Sequence, residues 1–286
     1  MRQIRIIFII LILAGSATKP MCQQLDPSPF DPAFDPDVDL YLSHWSESMP
    51  RHSHGSLIER DILTKGSALD PPRRGAVLEY LNRFAYGVLN AGTSTVPSSL
   101  KGEQKLLYIS SGSGVIETEE KSVHISKGFC LFIPEKLEFT MHNNGDSPLE
   151  MYVFSEPVPE DFIPRTEIGV KNENMIPFNS VVGHWCYMEK DFFLKGDGLA
   201  TIHGICTLTL APMTIGHPHF HVKGCEEIWT TVSGNNIAFL GKEIRKQPPG
   251  AAYMIPPDGK TNHSNINVSG SEPLVMLYVS VRKDIE

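Results

Sequence analysis

The feature that most constrains the fold is an internal repeat of short apolar runs. Lys101-Gly102 through Gly112 is answered by Lys223-Gly224 through Gly234 at a constant offset of 122 residues. Gly128 to Pro134 matches Gly250 to Pro256 at the same offset, and Pro148-Leu149 answers Pro273-Leu274 with three residues added. Upstream, the run from Glu59 through Asp61 to Gly66 is echoed by Glu189 through Asp191 to Gly196, and Ser43-His44-Trp45 by Gly183-His184-Trp185. Self-similarity over so long a period implies two copies of one supersecondary design. The runs, among them 105–110, 149–154, 204–210, 227–232 and 274–281, are short and separated by Gly, Pro, Asn and Asp. Short strands between turn residues indicate an all-β sandwich or barrel, and no long stretch of helical period competes. The expectation is two β-barrel modules in tandem, at 43–154 and 183–286. Between them lies a linker at 155–182, rich in Pro and charge (Glu156-Pro157-Val158-Pro159-Glu160-Asp161).

The front of the chain reads as a separate unit. Arg2 and Arg5 give a basic start, Ile6 to Leu13 are apolar without interruption, and Ala14-Gly15-Ser16-Ala17 are small. This is the layout of a secretory signal peptide over residues 1–17, too short in its apolar part for a spanning helix. Secretion or delivery to a periplasm is therefore expected, with no membrane span after cleavage. Cys22 invites a lipid anchor, but Lys19-Pro20-Met21 ahead of it lacks the small residue such a site wants. Residues 18–42 carry repeated Asp-Pro steps, which favour extended, irregular chain.

Charge and cysteine usage exclude some classes. A net charge of −8, without any basic run, argues against a nucleic-acid partner. The five cysteines are widely spaced and odd in number, so no disulfide framework is expected. Cys130 and Cys206 sit in apolar runs and read as core; Cys225 shares strand parity with Glu227, which leaves it a minor ligand role.

The candidate chemistry lies in Ile215–Gly234. His217, His219 and His221 alternate, and Glu226 and Glu227 follow a Lys-Gly pair. Alternation sends side chains to one face of a strand. Imidazoles and a carboxylate converging on one face suit a divalent transition metal better than an apolar core. Glu226 and Glu227 point to opposite faces, and the residues alone leave open which one serves.

Two motifs in this half resemble those of the cupin superfamily of small β-barrels. The first, His-x-His, a gap, Glu, then six residues to Gly, is matched by His219-Phe220-His221, Glu227 and Gly234. The second is matched by Gly250, Pro256-Pro257-Asp258-Gly259, His263 and Asn267. The resemblance implies a bicupin, two jelly-roll barrels in one chain, with metal ligands His219, His221, Glu227 and His263. Glu227 fits through its distance to Gly234. The His–Glu gap is one residue longer than the commoner spacing, and no Gly lies five residues ahead of His219. The ligand types tolerate Mn, Fe, Ni or Zn alike.

At the offset of 122, His219 becomes Pro97, His221 becomes Ser99, Glu227 becomes Lys105, and the region opposite His263 is 138–141. The first module should thus lack a metal, since a Lys at the carboxylate position repels a cation. His52-Ser53-His54 with Glu59 and Gly66 imitates the first motif, but the repeat aligns Glu59 with Glu189, so His52 and His54 read as loop residues. His217 is a candidate acid or base. Trp229 is a candidate apolar wall for the substrate, and Lys260 and Asn262 are candidate polar contacts to it.

Cupins host many chemistries, so fold alone settles little. The expected function is an exported metal-dependent bicupin acting on a small oxygen-rich substrate such as a sugar, uronic acid, or hydroxy or keto acid. Isomerase or lyase chemistry is favoured; a dioxygenase or a non-catalytic small-molecule binder is the alternative. A homodimer is one way to cover the sheet edges.

Overall fold

The computed structural model describes residues 36–179 and 186–282. The signal-peptide segment, Cys22, most of the acidic lead-in, and His184 and Trp185 lie outside the described residues. Nearly all regular structure is antiparallel strand, arranged as two large sheets and two three-stranded sheets. The first large sheet contains, in spatial order, Gly169–Asn172, Phe129–Ile133, Glu103–Ser111, Leu149–Pro157, Arg83–Leu89, Leu57–Thr64 and Arg51–Ser53. The second contains Leu42–His44, Ala251–Ile255, Cys225–Ser233, Leu274–Arg282, Ile202–Leu210 and Tyr187–Leu194. A three-stranded sheet closes each module: Ser122–Ser126, Ser113–Glu117 and Thr140–His142 in the first; Glu243–Gln247, Asn236–Leu240 and His263–Asn267 in the second.

Alternation within the long runs explains why they read as continuously apolar. In the first module Leu107, Ile109, Met151 and Val153 fill that module's own interior. Their neighbours Leu106, Tyr108, Tyr152 and Phe154 belong to a second core shared with the other module. The rings of Phe84 and Phe154 stack at 4.1 Å, Phe132 meets Phe193 at 5.8 Å, and the Tyr152 hydroxyl donates to the Thr231 carbonyl at 3.2 Å. A sheet covered on both faces needs apolar residues at every position. Cys130 and Cys206 are both buried, as their sequence context suggests.

Two short strands depart from the sequence partition. Leu42–His44, at the border of the first module, pairs with Ala251–Ile255 in the second sheet. Gly169–Asn172, inside the expected linker, pairs with Phe129–Ile133 in the first. Each meets the equivalent edge, and each runs into a 3-10 turn whose capping side chain, His44 or Asn172, accepts the backbone N–H two residues on. The structural counterpart of Ser43-His44-Trp45 is therefore 171–173; the sequence match at 183–185 lies outside the described residues.

Buried carboxylates lock the modules reciprocally. Glu226 accepts the backbone N–H groups of Glu79 and Tyr80 at 2.8 and 3.4 Å. Glu156 of the first module accepts those of Ala200, Thr201 and Ile202 at 3.1, 2.8 and 2.9 Å. Buried carboxylate oxygens need such donors.

Candidate metal centre

His219, His221, Glu227 and His263 are all buried, and each offers a ligand atom within 4.8 Å of the others. Three elements bring them together. The extended segment 214–221 bridges to the His263–Asn267 strand, with His219 and His263 exchanging both backbone hydrogen bonds at 3.2 and 2.9 Å. Glu227 lies on Cys225–Ser233, in register with Ile255 and Ser280 on its two neighbours. Gly216, at the start of the segment, admits the Tyr187 ring; a Cβ there would stand 1.8 Å from the Tyr187 hydroxyl.

The groups behind the ligands fix their orientation. His219 Nδ1 lies 2.7 Å from the His217 carbonyl oxygen, which acts only as an acceptor, so Nδ1 carries the proton and Nε2 is left basic. Glu227 accepts the Tyr278 hydroxyl on Oε1 and the Trp229 indole N–H on Oε2, the latter at 3.1 Å. The same Oε2 lies 2.8 Å from His221 Nε2 and 3.5 Å from His263 Nε2. Burial alone pushes the Glu227 carboxyl up, but His221 and His263 outweigh it and hold the group well below the usual range. Burial, reinforced by His219, drives His263 down to about 3, so its imidazole is neutral. A neutral His263 imidazole beside an ionised Glu227 is the protonation state that metal ligation requires of these two groups. The donor set and its protonation fit one divalent transition metal.

The remaining sequence candidates divide. Glu226 faces away from the cluster into the inter-module lock, and burial pushes its carboxyl up to about 8. The choice left open between the two acids thus falls to Glu227 by geometry. The His217 ring packs against His219 at 6.1 Å between centroids, at the rim of the four-residue cluster. Trp229, the candidate substrate wall, is fully buried and its indole N–H donates to Glu227. Lys260 is exposed and Asn262 half-buried on a loop pinned by Asp258, which accepts the N–H groups of Lys260 and Thr261 at 2.6 and 2.9 Å. Cys225 is buried next to the site and lies outside the ligand cluster. Sequence reasoning missed Tyr278, which sits in an apolar run that carries no motif.

In the first module the equivalent positions follow from matching backbone bonds. Ser98 and Phe139 exchange both bonds as His219 and His263 do, so these two pairs correspond. The uniform offset was wrong by one at the histidines: the counterparts are Ser98, Leu100, Lys105 and Phe139. None of the four is a metal ligand. Lys105 Nζ lies 3.0 Å from His54 Nε2, 3.9 Å from Glu59 and 3.8 Å from Glu103. His54 is therefore more than a loop residue. It occupies a left-handed turn (φ 49°) and its ring reaches into this pocket.

The cupin domain family model matches residues 86–155, within the module that lacks the ligands. Solved structures of similar fold include the protein YlbA from E. coli (16% identity, TM-score 0.65, covering 90% of this chain and 96% of that one). Vicilin from Corylus avellana, the hazelnut, aligns at 14% identity and TM-score 0.63 over 84% of this chain and 85% of its own. A single-residue variant of oxalate decarboxylase from B. subtilis aligns at 12% identity and TM-score 0.62 over 87% of this chain and 80% of its own. A comparison with curated protein sequences finds no match.

Proposed function

The chain has the two-domain cupin, or bicupin, fold, and on that premise we propose that its second module is the metal centre of an enzyme acting on a small oxygen-rich molecule. One observation carries this reading: four buried ligand atoms within 4.8 Å, three imidazole and one carboxylate, with the carboxylate oriented from behind by Trp229 and Tyr278. His219, His221, Glu227 and His263 would hold the ion; when bound, it supplies Lewis acidity and lowers the pKa of a coordinated water or hydroxyl. The chain's own residues set the stage for that chemistry. The His217 carbonyl fixes the His219 tautomer, and Trp229 and Tyr278 keep Glu227 from turning. Tyr187, against Gly216 and Trp229, and Tyr253, whose hydroxyl donates to the Ser264 carbonyl, are buried beside the cluster.

A four-residue set leaves coordination positions for two substrate oxygens, which suits a sugar, uronic acid, or hydroxy or keto acid. Isomerisation or elimination is the chemistry we favour, with dioxygen chemistry tied to iron as the metal. Export follows from the signal-like first 17 residues and predicts a mature chain that begins near Thr18.

The test is elemental identification of the metal, followed by turnover of those substrate classes by metal-loaded wild type and His219→Ala, read by NMR. Turnover in the wild type that is lost in the variant supports the reading. Equal turnover in both, or none with any class, overturns it.

A further inference from the structure

The strand Tyr187–Leu194 carries a second polar cluster into the same barrel. Glu189, Asp191 and Cys206 offer ligand atoms within 4.8 Å of one another. Register places them beside the metal centre. Asp191 pairs with Cys206, Cys206 with Tyr278, and Tyr278 with Trp229. Directly paired residues share a face, and Glu227 lies two residues from Trp229, so the whole row faces the interior. Three strand spacings, about 14 Å along the sheet, separate the two backbones, and side chains from both incline inward. Asp191 is half-buried, which leaves the cluster an opening.

The repeat shows what this position binds. The counterparts of Glu189 and Asp191 are Glu59 and Asp61, on a strand with the same bulge. There both acids seat cations. Arg51 bonds Glu59 and, at 3.2 Å, Asp61; Arg83 lies 3.6 Å from each; Lys105 lies 3.9 Å from Glu59.

In the second module no basic side chain stands at those register positions among the described residues: Asn179 pairs with Glu189 as Arg51 pairs with Glu59. By strand register Gly204 replaces Arg83 and Glu227 replaces Lys105. Among the described residues neither Glu189 nor Asp191 has an ion-pair partner. Glu189 is 7% exposed, and its Oε2 has no hydrogen-bond partner. A buried carboxylate beside a half-buried one is repelled by it unless a cation or a shared proton intervenes. Burial, then Asp191, pushes Glu189 up to about 7.

We propose that Glu189 and Asp191 seat a cationic nitrogen, an ammonium or guanidinium group, of the molecule whose oxygens the metal centre holds. The substrate class then narrows from oxygen-rich to nitrogen-bearing, a small amino or guanidino acid or sugar. The proposal rests on the metal-centre reading above for its oxygen contacts, but the nitrogen seat is measurable apart from it.

The test uses metal-loaded full-length protein titrated with methylammonium and methylguanidinium chloride at constant ionic strength, read by calorimetry, with metal content measured on every sample. Saturable binding of one equivalent is expected. It should weaken at least tenfold in Glu189→Gln and Asp191→Asn. Gly204→Arg, which restores the guanidinium that Arg83 supplies in the first module, should abolish it. Absence of saturable binding in the wild type, or binding unchanged in the three variants, overturns the seat. So does a second equivalent of divalent metal that disappears in Glu189→Gln, since the position would then be a metal site. Protein that holds no metal yet binds the probes through Glu189 and Asp191 keeps the seat and sinks the metal reading alone.

Discussion

Lys105 and Glu227 occupy the same register position in the two modules. Lys105 pairs with Ile133 and Ser155, and Glu227 with Ile255 and Ser280, at matching places on matching strands. One copy thus points an ammonium into its barrel where the other points a carboxylate. In the first barrel the Lys105 ammonium stands among His54, Glu59 and Glu103. In the second, the Glu227 carboxylate stands among three imidazoles.

Lys105→Met should therefore destabilise the first module without changing metal content. It leaves the buried Glu59 short of one cation while Arg51 and Arg83 remain. A loss of about 1–3 kcal/mol in denaturant unfolding is expected, below the full cost of orphaning a buried charge.

Trp229→Phe and Tyr278→Phe should each weaken metal binding while sparing the fold. Each removes one hydrogen bond that orients Glu227 and keeps an aromatic ring in place. Loss of such outer hydrogen bonds lowers affinity by about 10–100-fold. Competition against a chelator of known affinity measures this.

The fold was legible in the sequence where patterns were long. The repeat set the two modules, and the two motifs picked the four residues that converge. The exchanged strands were not legible, because three or four residues carry no usable period and their partners lie far away in sequence. The slip at the histidines has a local cause. The second copy holds one more residue at the 222–224 turn, so an offset valid from Lys101 onward fails just before it. The pair Glu189 and Asp191 was visible as an echo of Glu59 and Asp61. Its meaning needed the three-dimensional arrangement of cations that each pair meets.

The inter-module lock should depend more on Glu156 than on Glu226. Glu156 accepts three backbone N–H groups and the Thr201 hydroxyl, whereas Glu226 accepts two backbone groups. A buried donor left unsatisfied costs about 1–3 kcal/mol, and Ile202 is buried while Ala200 and Thr201 are partly so. Glu156→Ala should lower stability by several kcal/mol, and by more than Glu226→Ala does, in urea unfolding.

Stability should decline with rising pH through Glu189. Its folded pKa of about 7 stands above the ordinary value of 4.5, so the folded state keeps a proton that the unfolded chain has released. The folded state then binds more protons across that interval, and the Glu189 contribution falls from about pH 4.5 to about pH 7, while Glu226, raised to about 8, extends the decline beyond it. The full effect is at most about 3 kcal/mol. Glu189→Gln should flatten that part of the profile when unfolding is followed against pH without added organic cations.

The central claim is that one barrel binds metal and the other carries Lys105 in the place of the ligand Glu227. Elemental analysis of purified full-length protein tests this most directly, comparing wild type, Glu227→Ala, His263→Ala and Lys105→Met. The account predicts one equivalent of a divalent transition metal in the wild type and in Lys105→Met, and its loss in Glu227→Ala and His263→Ala. A wild type without stoichiometric metal, or metal retained in full after both ligand substitutions, would contradict it.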